Sequence, residues 1–158
     1  MLARNFKILI TGAAGQLGQA MKAESVHFSE YTFIYVNRRE MDLADASAMH
    51  SVIVEHSPDV IVNTGAYTAV DAAERNEDAA FGVNADGIRS LASICKQFDI
   101  ALIHISTDYV FDGTGHVPYL ETDATNPQTV YGSSKLEGEV GLMATGLDTY
   151  AIIRTSWL

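Results

Sequence analysis

The chain has 158 residues, a length typical of one domain, and 47% of them are hydrophobic, which is enough to build a core. Its 10 Lys and Arg residues against 20 Asp and Glu give a formal net charge of -10, which argues against nucleic acid and anionic membranes as partners. The single cysteine, Cys95, excludes an intrachain disulfide framework and is typical of a cytoplasmic protein. We find no stretch with the roughly 20 apolar residues of a membrane span, and the early first strand predicts that there is no signal peptide.

The first predicted strand, residues 7–11, leads into glycines spaced GxxGxxG. Gly12 permits a tight turn, Gly15 lets backbone N–H groups approach an anion, and Gly18 lets the next helix pack close to the strand. The start of that helix, predicted over residues 16–25, offers free N–H donors to a phosphate. Such glycines also occur in plain structural turns, but their place between a strand and a helix favours a nucleotide cofactor.

Strands and helices alternate along the rest of the chain. Further strands are predicted at 32–36, 60–62, 101–105 and 150–153, with helices at 46–56, around 81–95 and from about 127 onward, and an irregular loop at 113–125. The last helix is expected to bury Leu136, Val140 and Met143. Because the strands are continuously apolar, we predict an α/β fold, a doubly wound parallel sheet of the Rossmann type with at least five strands. Ligands in such sheets lie beyond the carboxyl ends of the strands.

Tyr131 and Lys135 lie four residues apart, so a helix places them on one face. A nearby ammonium favours the phenolate and would draw the tyrosine pKa down from its usual value of about 10. Thr107, at the end of the fourth predicted strand, is placed to donate a hydrogen bond to a substrate carbonyl. The alternatives are a chance pair on a surface helix, and a turn merely capped by Thr107 and Asp108.

The residues after the second predicted strand bear on the choice of cofactor. An acidic residue there would bind a ribose 2′-hydroxyl and repel a 2′-phosphate. The chain instead carries Asn37, Arg38 and Arg39 at this place. Two guanidinium groups suit a phosphate, so the sequence favours NADPH over NADH, with a solvated charged turn as the alternative.

The remaining polar candidates carry less chemistry. The histidines show no metal-ligand spacing, so we predict no metal site. His104, inside a strand, is predicted to be a satisfied core histidine, and Cys95 to be packing. Asn84 falls on the apolar face of its helix, where it either holds a backbone turn near the site or takes part in catalysis.

Five segments of the chain form a distinctive set, namely 11–18 (TGAAGQLG), 62–74 (VNTGAYTAVDAAE), 105–113 (ISTDYVFDG), 131–139 (YGSSKLEGE) and 154–157 (RTSW). With these segments the chain resembles the dTDP-4-dehydrorhamnose reductase branch of the extended short-chain dehydrogenase/reductase family, and the resemblance covers essentially all of the chain. The resemblance implies reduction of a nucleotide-linked 4-keto-6-deoxysugar with NADPH or NADH.

The resemblance also implies roles for individual residues. Tyr131 would protonate the oxygen at sugar C4 as hydride arrives from the nicotinamide, Lys135 would lower the tyrosine pKa and hold the cofactor ribose, and Thr107 would hydrogen-bond the keto oxygen. The remaining contacts implied are Gly15, Gln16 and Leu17 at the pyrophosphate, Asp42 and Leu43 at the adenine, Ala66, Tyr67 and Thr68 at the inner cofactor, and Asp108 and Trp157 at the sugar nucleotide. Trp157 could equally be ordinary packing.

Members of this family continue past the RTSW segment with a region that closes over the sugar nucleotide. The resemblance therefore implies that residues 1–158 form an NAD(P)-binding Rossmann domain with the catalytic Tyr and Lys, in a truncated chain without the substrate-binding C-terminal region. The regulatory β subunit of methionine adenosyltransferase resembles the same branch, so a non-catalytic nucleotide-binding module is the alternative. Gln19 and Ala20 stand where some members carry a metal-bridging glutamate, so no metal-bridged dimer is expected, although a homodimer is left open.

Overall fold

The computed structural model describes residues 5–156 of the chain. The strands are β1 (Phe6–Thr11), β2 (Tyr31–Tyr35), β3 (Val60–Asn63), β4 (Ala101–Thr107) and β5 (Tyr150–Thr155). The helices are α1 (Gln16–Glu24), α2 (Ala46–His56), α3 (Val70–Ala73), α4 (Glu77–Phe81), α5 (Gly87–Phe98) and α6 (Val130–Ala144). Short 3-10 turns cover Ser25–His27 and Asp108–Val110, and a π-helical segment, Gly82–Asp86, joins α4 to α5.

The five strands form one parallel sheet in the order β2-β1-β3-β4-β5, which confirms the predicted doubly wound fold. The chain moves from β1 outward to β2 and then crosses back to β3 on the other side of β1. Since crossovers of this kind are right-handed, α1 lies on one face of the sheet, and α2, α5 and α6 lie on the other. The change of direction between β1 and β3 opens a crevice at their carboxyl ends.

The main core lies between the sheet and the helices α2, α5 and α6, which pack on one of its faces. Leu9, Ile61 and Leu102 stand side by side across β1, β3 and β4 and are fully buried. Helical residues of α2, α5 and α6 complete the cluster, among them Met49, Ile53, Ile88, Leu91 and Leu142. No helix within residues 5–156 is long and apolar enough to cross a bilayer.

The prediction that Val140 and Met143 lie on the buried face of α6 is wrong. Val140 and Met143 are exposed, at 49% and 47%. Besides Leu142, the helix buries small and polar residues, namely Gly132, Ser134, Lys135, Gly138, Glu139 and Gly141. The glycines explain this orientation, because a Cβ on Gly138 would collide with the Asn84 carbonyl and one on Gly132 with the Tyr109 carbonyl. Close backbone approach, rather than an apolar stripe, therefore decides which face of α6 is buried.

Candidate active site

One open cleft of about 580 Å³ runs along the carboxyl ends of the strands. Fourteen of the predicted site residues line it: Gly12, Gly15, Gln16, Leu17, Arg38, Asp42, Leu43, Ala66, Tyr67, Thr68, Thr107, Asp108, Tyr131 and Lys135. Gly18 is buried inside α1, Arg39 is not among the lining residues, and Trp157 lies outside the described residues. The fold thus brings the glycine turn and the Tyr–Lys pair to two parts of the same cleft.

The glycine turn at one part of the cleft depends on close backbone packing. Gly12 has φ +65°, and a Cβ there would lie 2.6 Å from the Gly65 amide nitrogen, on the loop after β3. A Cβ on Gly18 would lie 2.7 Å from the Gly12 carbonyl oxygen, so α1 packs directly on the turn. No side chain caps the N-terminus of α1 at Gly15, which leaves first-turn N–H groups free to bind an anion in the cleft.

The segment after β2 forms one wall beside the glycine turn. Met41, Asp42 and Leu43 all line the cleft here. Arg38 is largely exposed, and its Nε donates to an Asp42 oxygen at 3.3 Å. Arg38 and Arg39 therefore differ, because only Arg38 borders the cleft.

Asn84, on the π-helical segment, holds the wall formed by residues 66–68. Its side-chain oxygen accepts from the Tyr67 amide at 2.8 Å, and its side-chain nitrogen donates to the Tyr67 carbonyl at 3.0 Å. The same nitrogen donates to the Ser134 hydroxyl at 3.0 Å, and Ser134 donates to the Tyr131 carbonyl at 2.8 Å. Of the two roles predicted for Asn84, the structure shows the first, since it fixes a backbone turn beside the site.

Tyr131 stands at the other part of the cleft, at the start of α6. Its hydroxyl is close enough to Thr107 for that residue to act on its pKa, and its ring packs edge-on against Tyr109 with centroids 5.6 Å apart. Thr107 also accepts from the Tyr109 amide at 3.2 Å and donates to an Asp108 oxygen at 3.1 Å. Thr107 therefore caps a turn and also lines the cleft beside the tyrosine hydroxyl.

Lys135 is buried beneath Tyr131, with 2% of its surface exposed. Its amine donates to the Ile105 carbonyl of β4 at 2.7 Å and lies 3.3 Å from His104 Nε2. Burial lowers the pKa of Lys135 to about 8, against an opposing effect of the Glu139 charge.

The expected lowering of the Tyr131 pKa by Lys135 is not what the structure shows. Burial raises the pKa of Tyr131 above its ordinary value, with the Thr107 hydrogen bond acting in the opposite direction. The physical reason is that Lys135 directs its amine to the Ile105 carbonyl and towards His104. Tyr131 thus holds its proton firmly at neutral pH.

Two buried polar groups beside the site were missed from the sequence. One joins Thr11, Asn63 and His104 across three strands, and the other joins Ser106, Glu139 and Arg154. His104 was correctly predicted to be a satisfied core residue, but not to contact Lys135. The sequence position of these residues could have indicated both groups. Most of them fall at or near the carboxyl ends of parallel strands, where side chains from neighbouring strands meet.

The sheet, the glycine turn and the Tyr–Lys pair define a Rossmann-type domain of the extended short-chain dehydrogenase/reductase class. Within that class, the chain belongs to the family described as RmlD substrate binding domain, whose model matches residues 6–158. This confirms the resemblance found in the motifs. Among residues 5–156, no group of three or more His, Cys, Asp or Glu side chains is arranged to hold a metal ion.

Relatives of known name support the same assignment. A dTDP-4-dehydrorhamnose reductase from Sinorhizobium fredii is 43% identical over 152 residues, which are 96% of this chain and 50% of that protein. One from Mycobacterium tuberculosis is 41% identical over 162 residues, covering 100% of this chain and 52% of that protein. The chain thus spans about half the length of these relatives.

A solved structure of dTDP-4-dehydrorhamnose reductase from Bacillus anthracis, in complex with NADP, superposes with a TM-score of 0.92 at 36% identity. It covers 97% of this chain and 54% of that one. The UDP-glucose 4-epimerase of Thermus thermophilus in complex with NAD, at 22% identity and a TM-score of 0.83, shares the fold.

Proposed function

We propose that this chain is the cofactor-binding and proton-donating part of an NADPH-dependent reductase that acts on the 4-keto group of a dTDP-4-dehydro-6-deoxysugar, converting dTDP-4-dehydrorhamnose to dTDP-rhamnose. The observation that carries the proposal is the single cleft that contains both the glycine turn and the group formed by Thr107, Tyr131 and Lys135. The names of the relatives support this substrate class. A pure binding module has no need of this acid–base group, so the reductase is favoured over a regulatory module.

The cleft suits a dinucleotide at its glycine end. Gly12 and Gly18 allow backbone contacts that a Cβ would block, and the uncapped start of α1 presents N–H donors beside Gly15, Gln16 and Leu17. We assign the pyrophosphate to these donors, the adenine side to Asp42 and Leu43, and the inner part of the cofactor to residues 66–68. When bound, the reduced nicotinamide supplies the hydride.

Tyr131 is assigned as the proton donor to the sugar oxygen. Its raised pKa keeps the hydroxyl protonated at neutral pH, and Thr107 lies beside it in the cleft. Thr107, by turning its hydroxyl from Asp108, hydrogen-bonds the keto oxygen, and Lys135 holds the cofactor from below. Asp108 and Trp157 are assigned to the sugar nucleotide. In this proposal residues 1–158 constitute the NAD(P)-binding domain of a cytoplasmic biosynthetic enzyme, and a homodimer stays open.

Calorimetric titration of the 158-residue chain with NADPH and with NADH tests the cofactor assignment. We expect saturable binding of both, with NADPH the tighter ligand, because Arg38 is available to a 2′-phosphate. A dTDP-sugar added afterwards shows whether this chain alone also holds the substrate. The absence of binding by either cofactor would contradict the proposal and leave the glycine turn a structural feature.

We expect replacements of Arg38 and of Arg39 to have different effects on the affinities for NADPH and NADH. We expect Arg38→Ala to weaken NADPH by about 10-fold or more and to leave NADH nearly unchanged, since a charge-assisted hydrogen bond to phosphate is lost. The neighbouring Arg39→Ala is the matched control and should change neither affinity much, because Arg39 does not border the cleft. Equal losses of NADPH and NADH affinity in Arg38→Ala would refute the role of Arg38.

A further inference from the structure

A chain of hydrogen bonds crosses the sheet beneath the cleft and ends at Lys135. Thr11, Asn63 and His104 are register neighbours on β1, β3 and β4, so their side chains stand side by side. All three residues are buried. The Thr11 hydroxyl donates to Asn63 Oδ1 at 2.5 Å, Asn63 Nδ2 lies 2.9 Å from His104 Nδ1, and His104 Nε2 lies 3.3 Å from the Lys135 amine.

The Gly65 backbone decides which way the Asn63 amide faces. The Gly65 carbonyl, which can only accept, lies 3.4 Å from Asn63 Nδ2. At the other end of the amide, the Thr11 hydroxyl that donates to Oδ1 itself accepts from the Gly65 amide at 3.3 Å. The reversed amide would place two oxygens against each other, so Nδ2 must face His104.

The orientation of Asn63 in turn fixes the proton on His104. Because Asn63 Nδ2 donates, His104 Nδ1 must accept, and a neutral imidazole then carries its hydrogen on Nε2. Burial lowers the pKa of His104 well below its ordinary value, which agrees with a neutral ring. The Nε2–H bond therefore points at the amine of Lys135.

We propose that Thr11, Asn63 and His104 act as positioning residues that set the charge of Lys135, by presenting an N–H donor that only the uncharged amine can accept. An ammonium has no lone pair, so protonated Lys135 would face His104 donor to donor while it donates to the Ile105 carbonyl. The other charged group acting on Lys135 is Glu139, one turn later on α6, which is paired with Arg154 of β5 and favours the ammonium.

This inference rests on the proposed function, in which Lys135 belongs to the active site, and it adds a link between the two parts of the cleft. The loop after β3 that packs against the Gly12 turn also holds Thr11 and Asn63 through Gly65. The geometry at the glycine turn is thereby connected to the protonation of the lysine. Lys135 becomes a group that exchanges its proton near neutral pH.

Carbon NMR of protein labelled at lysine Cε measures the charge of Lys135 directly. The chain has four lysines, Lys7, Lys22, Lys96 and Lys135, and Lys135→Arg assigns the signal. We expect the wild-type midpoint near the pKa of about 8. His104→Gln should raise it by about one unit, because the amide can turn its oxygen to the ammonium. The same change at exposed His50 should leave the midpoint unaltered, and an unaltered midpoint in His104→Gln would overturn the proposal.

Nitrogen NMR of the wild-type histidines decides the matter even if the His104 variant does not fold. We expect His104 to be a neutral ring with a bare Nδ1 and a protonated Nε2 at about pH 9, where Lys135 is uncharged. A ring protonated on Nδ1, or on both nitrogens, would overturn the proposal. Neither measurement needs cofactor or substrate, so a chain that binds no NADPH would contradict the proposed function while these results still decide the role of His104.

Discussion

Replacing Tyr131 by phenylalanine is expected to lower turnover of the keto sugar in the complete protein by about 10²–10⁴-fold, the usual contribution of a general acid. The hydroxyl beside Thr107 is the only group removed, and the ring keeps its edge-on contact with Tyr109. NADPH affinity should therefore stay within a few-fold of wild type. Steady-state rates of NADPH oxidation, with calorimetry for the cofactor, separate the two effects.

The matched control is Tyr150→Phe, which removes a hydroxyl from an exposed tyrosine on β5 that does not border the cleft. We expect wild-type rates from this variant. Turnover by Tyr131→Phe equal to that of Tyr150→Phe would contradict the assignment of Tyr131 as proton donor. A parallel loss of NADPH affinity would instead show that Tyr131 holds the cofactor.

The pKa of Tyr131 is raised and that of Lys135 is lowered, so the two residues lose their protons in different pH ranges. Because the pKa of Tyr131 is raised, the tyrosine stays protonated throughout the neutral range and can act as an acid. Lys135, with its pKa lowered to about 8, is the group that loses its charge as the pH rises just above neutral. An alkaline limb in the rate near this value would thus report Lys135 and not Tyr131.

The sequence was sufficient for the fold because its signals were local. Continuous apolar strands, each followed by a helix, predict a parallel sheet, and every predicted strand is present to within two residues at either end. The glycine spacing predicted the turn at Gly12 and the close packing at Gly18, both of which the structure contains. The prediction that Tyr131 and Lys135 share one face of a helix also rests on local spacing, namely one helical turn, and both residues line the cleft.

The parts that could not be predicted depend on contacts between elements. Val140 and Met143 looked like a core face of α6, but the glycines of that helix let its polar side approach the π-helical segment. The pKa of Tyr131 likewise follows from where Lys135 sends its amine, and that is decided by His104 and the Ile105 carbonyl on β4. A short sequence motif encodes neither the position of α6 relative to β4 nor the burial of Lys135.

Glu139 should be the residue of α6 whose charge matters most for stability. Its carboxylate is 1% exposed on the side chain and is paired with Arg154 through several hydrogen bonds, the shortest 2.7 Å. It also accepts from the Ser106 hydroxyl at 2.5 Å, and Arg154 in turn stacks on Phe111 with 5.1 Å to the ring centroid. One buried carboxylate thus joins α6, β4, β5 and the loop after β4.

We expect Glu139→Gln to lower the free energy of unfolding by about 3 kcal/mol, because removal of one partner leaves the other charge largely buried and uncompensated. For a chain of this length that corresponds to a fall in Tm of about 6–12 °C. Glu137→Gln is the control on the same helix, since Glu137 pairs with Arg89 at 3.2 Å while both side chains are about half exposed. An exposed pair contributes about 0–1 kcal/mol, so equal thermal shifts in the two variants would show that the Glu139 carboxylate is not what holds β5 to the domain.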